Sequence, residues 1–184
     1  MQLVWPAEAY LEGLRDALAR GWSPDNLRPE AAAEELALID ADPAAYVAAQ
    51  VDREAAGAPI RLPDGRLAPR LPGHRRWLWD GEFCGLIGLR WQAGTTDLPD
   101  YCLGHIGYAV VPWKRRQGHA TRALALTLED ARAEGLPFVI ITTDASNLPS
   151  QRVIVANGGW LVERFDKTAL HGSAPSLRYR IDLV

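Results

Sequence analysis

The segment that most constrains this chain runs from residue 104 to residue 141. It holds a strand-like stretch at 104–111 stopped by Pro112, a basic turn, a helical stretch at 117–134, and a wholly apolar run, Phe138-Val139-Ile140-Ile141. Ala120, Leu124, Leu128 and Ala131 recur at spacings of three and four, which places them on one helix face. Gly135-Leu136-Pro137 then ends the helix. An apolar run without alternation marks a strand buried on both faces. Two strands joined through a helix lie parallel, so the plan is mixed α/β with one parallel crossover.

The rest of the chain arranges itself around that unit. Residues 3–5 form a short apolar run ended by Pro6. Residues 7–19 read as a helix, with Tyr10, Leu11, Leu14 and Leu18 on one side. Residues 23–26 read as a loop, and 31–38 and 43–55 as alanine-rich helices. Residues 56–73 are rich in Gly and Pro and carry the turn Pro63-Asp64-Gly65. The texture changes at His74. Residues 74–80 and 83–91 read as strands joined by Asp80-Gly81, a hairpin dipeptide. Asn147 caps a helix at 148–157, with Pro149 in its first turn and Gly158 just past its end. Residues 159–165 and 176–183 read as a closing hairpin.

Composition narrows the function classes. The net charge of −3 lacks the basic excess of a nucleic-acid binder. The two cysteines, Cys84 and Cys102, make no disulfide framework, which fits a reduced, cytoplasmic protein. No stretch of about 18 apolar residues spans a membrane, and no signal peptide is evident. The histidines at 74, 105, 119 and 171 show no metal-ligand spacing, so no metal is expected.

The turn after Pro112 carries the sharpest chemistry. The first N–H groups of a helix have no intrahelical partner, and the helix dipole favours an anion there. Gly118 admits close approach of a phosphate, Ala120 keeps the next turn uncrowded, and Lys114, Arg115, Arg116 and Arg122 add positive charge. The plainer reading is a strand-to-helix turn with solvated basic residues. The loop lacks the Gly-Lys-Ser/Thr ending of a P-loop, which argues against a nucleotide phosphohydrolase.

Arg115-x-x-Gly118-x-Ala120 resembles the cofactor loop of the GNAT N-acetyltransferase superfamily, as do Pro112 and the strand before it. Asn147-x-x-Ser150-x-x-Val153 followed by Asn157-Gly158-Gly159 resembles that superfamily's segment after its fifth strand. Gly104-His105-Ile106-Gly107-Tyr108 and Thr143-Asp144 are similar to a group of poorly characterised GNAT acetyltransferases. The likeness covers residues 74–165. It implies one α/β (α+β) domain over 1–184, with a mixed, mostly antiparallel sheet of about seven strands, splayed at the cofactor and flanked by helices. In that domain 1–73 would help wall the acceptor site, 74–165 would form the cofactor core, and 166–184 the closing strand. Acetyl-CoA would be the co-substrate. Its pyrophosphate would meet Arg115, Arg116, Gln117, Gly118, His119, Ala120 and Thr121, its pantetheine arm Tyr108, Ala109 and Val110, and Asn147 and Ser150 would lie beside it. The acceptor would be a small-molecule or peptide amine, with no nucleic acid and no membrane; dimerisation is common in the superfamily.

Two departures bear on mechanism. Relatives that acetylate protein N-termini carry a Glu where this chain has Thr142, and a Tyr where it has Ile154. Candidates for the base are His105, whose plainer reading is a satisfied strand histidine, and Asp144, whose plainer reading is a turn residue. Tyr108 is a candidate acid, with a core aromatic as the alternative. Asn147 and Ser150 are equally well read as a bare cap and a first-turn polar residue. Cys102, without a base beside it, reads as apolar filler. The acidic residues Glu30, Glu34, Glu35, Asp40 and Asp42 would favour a cationic amine, or simply form a solvated helix face. Two competing readings remain at this stage: an acyl-CoA-binding domain without turnover, and a protein-interaction module built on the helices at 7–55.

Overall fold

The computed structural model describes residues 1–25, 28–62, 64–168 and 171–183. Asn26 of the predicted loop and Pro63 of the predicted turn lie outside the described residues, as does part of the loop at 166–175. The elements follow in the order β1 (Gln2–Val4), α1 (Glu8–Ala19), α2 (Ala31–Ala41), α3 (Pro43–Ala48), β2 (Val51–Asp52), β3 (Ile60–Arg61), β4 (Leu67–Ala68), β5 (Gly73–Trp79), β6 (Phe83–Arg90) and β7 (Ile106–Val110). Then come α4 (His119–Ala133), β8 (Phe138–Asp144), α5 (Leu148–Ala156), β9 (Trp160–Asp166) and β10 (Pro175–Asp182).

The strands form two principal sheets. One has the order β1-β5-β6-β7, with β2 also pairing β5; the other has the order β8-β10-β9. Every ladder in both is antiparallel. Among the described residues no ladder joins β7 to β8, and the two sheets part there. Helices α1 and α4 flank these antiparallel sheets.

The first sheet is covered on both faces, which explains the nearly continuous apolar sequence of β6. Neighbouring residues alternate between two cores. Trp77 and Leu86 pack with Leu11, Leu14 and Leu18 of α1, whereas Leu78 and Ile87 pack with Leu124 and Leu128 of α4. A Trp77 buried on that scale removes about 150–250 Å² of aromatic surface from water. Arg76 ties the layers at their rim, pairing with Asp130 of α4 at 3.0 Å and donating to the Leu3 carbonyl at 2.9 Å.

Among the boundaries that differ from the sequence expectation, two have a plain local cause. The helix expected over 43–55 ends at Ala48, because Val51 and Asp52 pair with His74 and Gly73. The Asp52 carboxylate accepts the amides of Ala56 and Gly57, a local alternative to helix that Asp side chains favour. The helix expected from 117 starts at His119, because Gly118 is left-handed at φ 76°.

Candidate active site

The site grows from the parting of β7 and β8. Among the described residues, hydrogen bonds join the two segments at one place, His105 just before β7 and Ile140 of β8. His105 donates its amide to the Ile140 carbonyl at 2.7 Å, and the Ile140 amide donates to His105 Nδ1 at 3.0 Å. Gly104 makes that approach feasible, since a Cβ there would lie 2.9 Å from the Ile140 oxygen. Beyond this pin the strands diverge. Among the described residues β7 pairs only with β6, so its other edge faces the cleft.

The basic turn closes the open end of the cleft. Pro112–Lys114 form one 3₁₀ turn, Arg116 takes φ 62° and Gly118 φ 76°, and the first helical bond runs from Arg122 N–H to the Gly118 carbonyl at 3.0 Å. The amides of Gly118, His119, Ala120 and Thr121 therefore precede any i−4 acceptor. They form an anion cradle at a helix N-terminus. Arg116, Gln117 and Arg122 have no side-chain partner among the described residues. The other basic side chains are committed: Arg115 Nε donates to the Val110 carbonyl at 3.1 Å, and Lys114 Nζ meets Asp80 at 3.0 and 3.1 Å and Glu82 at 2.9 Å. The His119 imidazole turns away from the cradle, with Nε2 3.4 Å from Asp80 Oδ2. Of His119, only the backbone is offered to an anion.

Tyr108 and Ser150 bridge the cleft. The Tyr108 hydroxyl lies 2.9 Å from Ser150 Oγ and donates to the Ser150 carbonyl at 3.3 Å. Burial pushes the phenol up to about 12, against a hydrogen bond from Ser150 that lowers it. Asn147 Oδ1 accepts the Ser150 amide at 3.1 Å, the helix cap read from the sequence. Asn157 Nδ2 donates to the Thr121 carbonyl at 3.2 Å, fastening α5 to the first turn of α4.

The two candidate bases sit apart. His105 is 1% exposed, and burial, with Arg90 nearby, pushes its imidazole down to about 4. Asp144 lies four residues further along β8 than Ile140, about 13 Å at strand rise. There it pairs with Lys167 Nζ at 2.5 Å. A cavity of about 250 Å³ opens beside it, lined by Ala145, Arg164, Phe165, Asp166, Pro175, Ser176 and Leu177. A larger one, about 310 Å³, lies away from the cleft between α1 and the β5–β6 hairpin.

The acidic residues of the N-terminal helices do not form a free cation site. Glu30 and Glu34 pair with Arg28, Glu35 with Arg75 at 3.1 Å, and Asp40 with Arg15 at 2.6 Å, while Asp42 caps α3 through the Ala45 amide. The solvated-face alternative describes them better. Ile154, where N-terminal acetylating relatives carry Tyr, is fully buried in the core.

Sequence reasoning passed over Asp80. It was legible only as half of a hairpin dipeptide, yet its carboxylate gathers Lys114, His119 and the Cys84 thiol. Asp80, Cys84 and His119 bring ligand-type atoms within 4.8 Å of one another, a grouping that histidine spacing alone cannot reveal. Burial, with Asp80 beside it, pushes the Cys84 thiol up to about 11, so it stays protonated. Lys114 already neutralises the carboxylate. Lys114 is the hydrogen-bonded partner of the carboxylate, while His119 Nε2 lies beside it without a hydrogen bond.

Comparison with known proteins bears on the family and the fold. The model of the acetyltransferase (GNAT) domain family matches residues 7–159. A microcin self-immunity acetyltransferase, MccE, solved with acetyl-CoA and AMP, superposes with TM-score 0.60 at 11% identity, over 98% of this chain and 91% of that one. RimL, a ribosomal-protein α-N-acetyltransferase solved with coenzyme A, gives 0.60 at 13%, over 98% and 92%. A GNAT-family acetyltransferase from Bordetella pertussis gives 0.56 at 17%, over 97% and 93%. No curated protein matches the sequence closely enough to count as a relative. At these identities the structures speak for the fold alone, and the family rests on the domain match across most of the chain. The chain belongs to the GNAT acetyltransferase family.

Proposed function

We propose that this protein moves an acetyl group from acetyl-CoA to a primary amine by direct attack within a ternary complex. The observation that carries the reading is the junction of two features: a strand pair joined by one pair of hydrogen bonds and otherwise without a ladder, and an anion cradle at its open end. An extended, amide-bearing arm ending in a diphosphate fits that junction. The diphosphate would lie on the amides from Arg116 to Thr121, with the Arg116 and Arg122 guanidinium groups free to assist. The arm would pair with the unladdered edge of β7 at Tyr108, Ala109 and Val110, beside Asn147 and Ser150.

In this reading the amine nitrogen attacks the thioester carbon, the C–S bond breaks, and the thiolate leaves with the electron pair. A free amine is needed, since a lysine-like group with pKa about 10.4 is mostly protonated at neutral pH. Asp144, at the open end beside the smaller cavity, is the better placed acceptor for the amine proton, directly or through water. The thiolate, with a reference pKa of about 8.5, needs little help to leave. Tyr108, paired with Ser150 in the cleft, is placed to donate a hydrogen bond to it. His105, buried and pinned, serves the scaffold by holding β7 to β8. Holding the reactants in place supplies much of the remaining rate.

The first experiment is isothermal titration with acetyl-CoA, followed by thiol release over a panel of amines. Saturable binding and release with at least one amine are expected. Binding without release from any amine leaves the acyl-CoA-binding alternative, which the buried Ile154 and a threonine at 142 in place of Glu favour. Absence of binding by folded protein overturns the proposal. Tyr108→Phe keeps the ring and removes the hydroxyl. It should lower kcat about tenfold to a hundredfold while the KM for acetyl-CoA stays within about twofold, the signature of a group acting in the transition state. An unchanged kcat would leave Tyr108 as packing alone.

A further inference from the structure

Asp80 opens the turn between β5 and β6, outside the cradle, yet it reaches both ends of the cradle loop. Lys114, the last residue of the 3₁₀ turn before the loop, donates to both carboxylate oxygens at 3.0 and 3.1 Å. His119, the first residue of α4 after the loop, places Nε2 3.4 Å from Oδ2, near enough for an ion pair when the ring is protonated but not hydrogen-bonded to it. Both partners are largely shielded: the Lys114 side chain is 17% exposed and that of His119 10%. Burial works against the charge on Asp80, but hydrogen bonds from Lys114, the Cys84 thiol and the Glu82 amide outweigh it and hold the carboxyl below its usual range. Between the two anchors the loop has two left-handed residues, Arg116 and Gly118, the first of them not glycine. A non-glycine residue in that region persists only where its surroundings hold it.

We infer that Asp80 is a positioning residue for the cofactor loop: by clamping Lys114 before the loop and standing against the His119 ring after it, it holds the amide cradle in the shape that receives a diphosphate. Preorganised donors bind more tightly because the ordering is already done before the ligand arrives. The inference rests on the proposed reading of the loop as an acyl-CoA cradle. It also reassigns Lys114. By sequence Lys114 belongs with the phosphate-binding cations; by structure it is one arm of the clamp, with Glu82 as its other partner at 2.9 Å.

The two roles for Lys114 predict opposite results in a double-mutant cycle read by acetyl-CoA titration and by steady-state kinetics. As a clamp, Asp80→Ala and Lys114→Met each raise the Kd and KM for acetyl-CoA about tenfold. Together they do little more than either alone, since both remove one interaction. The kcat at saturating acetyl-CoA stays within about twofold. Asp80→Asn, which keeps the shape and one acceptor oxygen, recovers part of the loss and stands in for Asp80→Ala should the latter not fold. Wild-type or tighter affinity in a folded Asp80 variant overturns the inference, as does a double variant with the two losses multiplied, which would make Lys114 a phosphate ligand. Wild-type protein that binds no acetyl-CoA instead sinks the acetyltransferase reading, and this inference with it.

Discussion

Gly118→Glu is expected to raise the Kd for acetyl-CoA at least about a hundredfold while leaving the protein folded. Gly118 stands at the N-cap of α4 with φ 76°, and a Cβ built there meets nothing within 4 Å. The substitution therefore brings no clash. It brings backbone strain of about 1–2 kcal/mol for a side chain in the left-handed region. A carboxylate near a helix N-terminus offsets part of that strain through the dipole. The added charge is another matter, because it occupies the place where the diphosphate would sit. Two like charges about 4 Å apart near a protein surface repel by about 4 kcal/mol. Each 1.4 kcal/mol is tenfold in binding, so even half of that repulsion, together with loss of the amide contacts, reaches a hundredfold. Gly118→Ala carries the strain without the charge and should weaken binding far less. Titration of the three proteins, with melting temperatures alongside, checks this. A Gly118→Glu protein that binds like wild type would place the anion site elsewhere.

The strand-turn-helix unit around Gly118 is legible in the sequence because its physics is local. A strand stop, a basic turn and a helix start within ten residues specify where unpaired amides must point, whatever packs around them. The crossover is legible for the same reason, and so is the Asn147 cap, whose side chain does bond the Ser150 amide. What escapes is set by contacts between distant residues. Lys114 and Arg115 look like phosphate ligands until Asp80 and the Val110 carbonyl are seen to hold them. Glu34, Glu35 and Asp40 look like a cation site until Arg28, Arg75 and Arg15 are placed beside them. The end of α3 at Ala48 depends on a strand partner more than twenty residues downstream. Charge type is written in a sequence, but charge pairing is a property of the fold.

His105 shows the same divide, and its two readings predict different measurements. A histidine on the strand beside a cofactor invites the role of base, and removal of a general base costs a factor of 10² to 10⁴ in rate. In the structure its Nδ1 accepts the Ile140 amide, Nε2 is buried without a hydrogen-bond partner, and burial holds the imidazole neutral down to about pH 4. A pin of this kind acts on stability, with a defined sign. In the unfolded chain histidine titrates near 6.5, in the folded protein near 4. As pH falls below 6.5 the unfolded state takes up a proton that the folded state refuses, so stability falls. By pH 5 the loss from this residue is about 2 kcal/mol, and near pH 4 it approaches about 3 kcal/mol. His74, also buried and lowered by desolvation, adds to the slope in the same direction. His105→Gln keeps an acceptor for the Ile140 amide and removes the titration. It should lose stability at pH 7.5 through imperfect packing, yet lose about 2 kcal/mol less than wild type between pH 7.5 and 5. Urea unfolding of both proteins at the two pH values measures this. Because the imidazole does not titrate near neutrality, the pH profile of kcat/KM should keep its acid limb in the variant. Loss of that limb, with a rate down a hundredfold or more and an unchanged stability slope, would return His105 to the role of base and leave the closure of β7 on β8 to the 2.7 Å bond between the His105 amide and the Ile140 carbonyl.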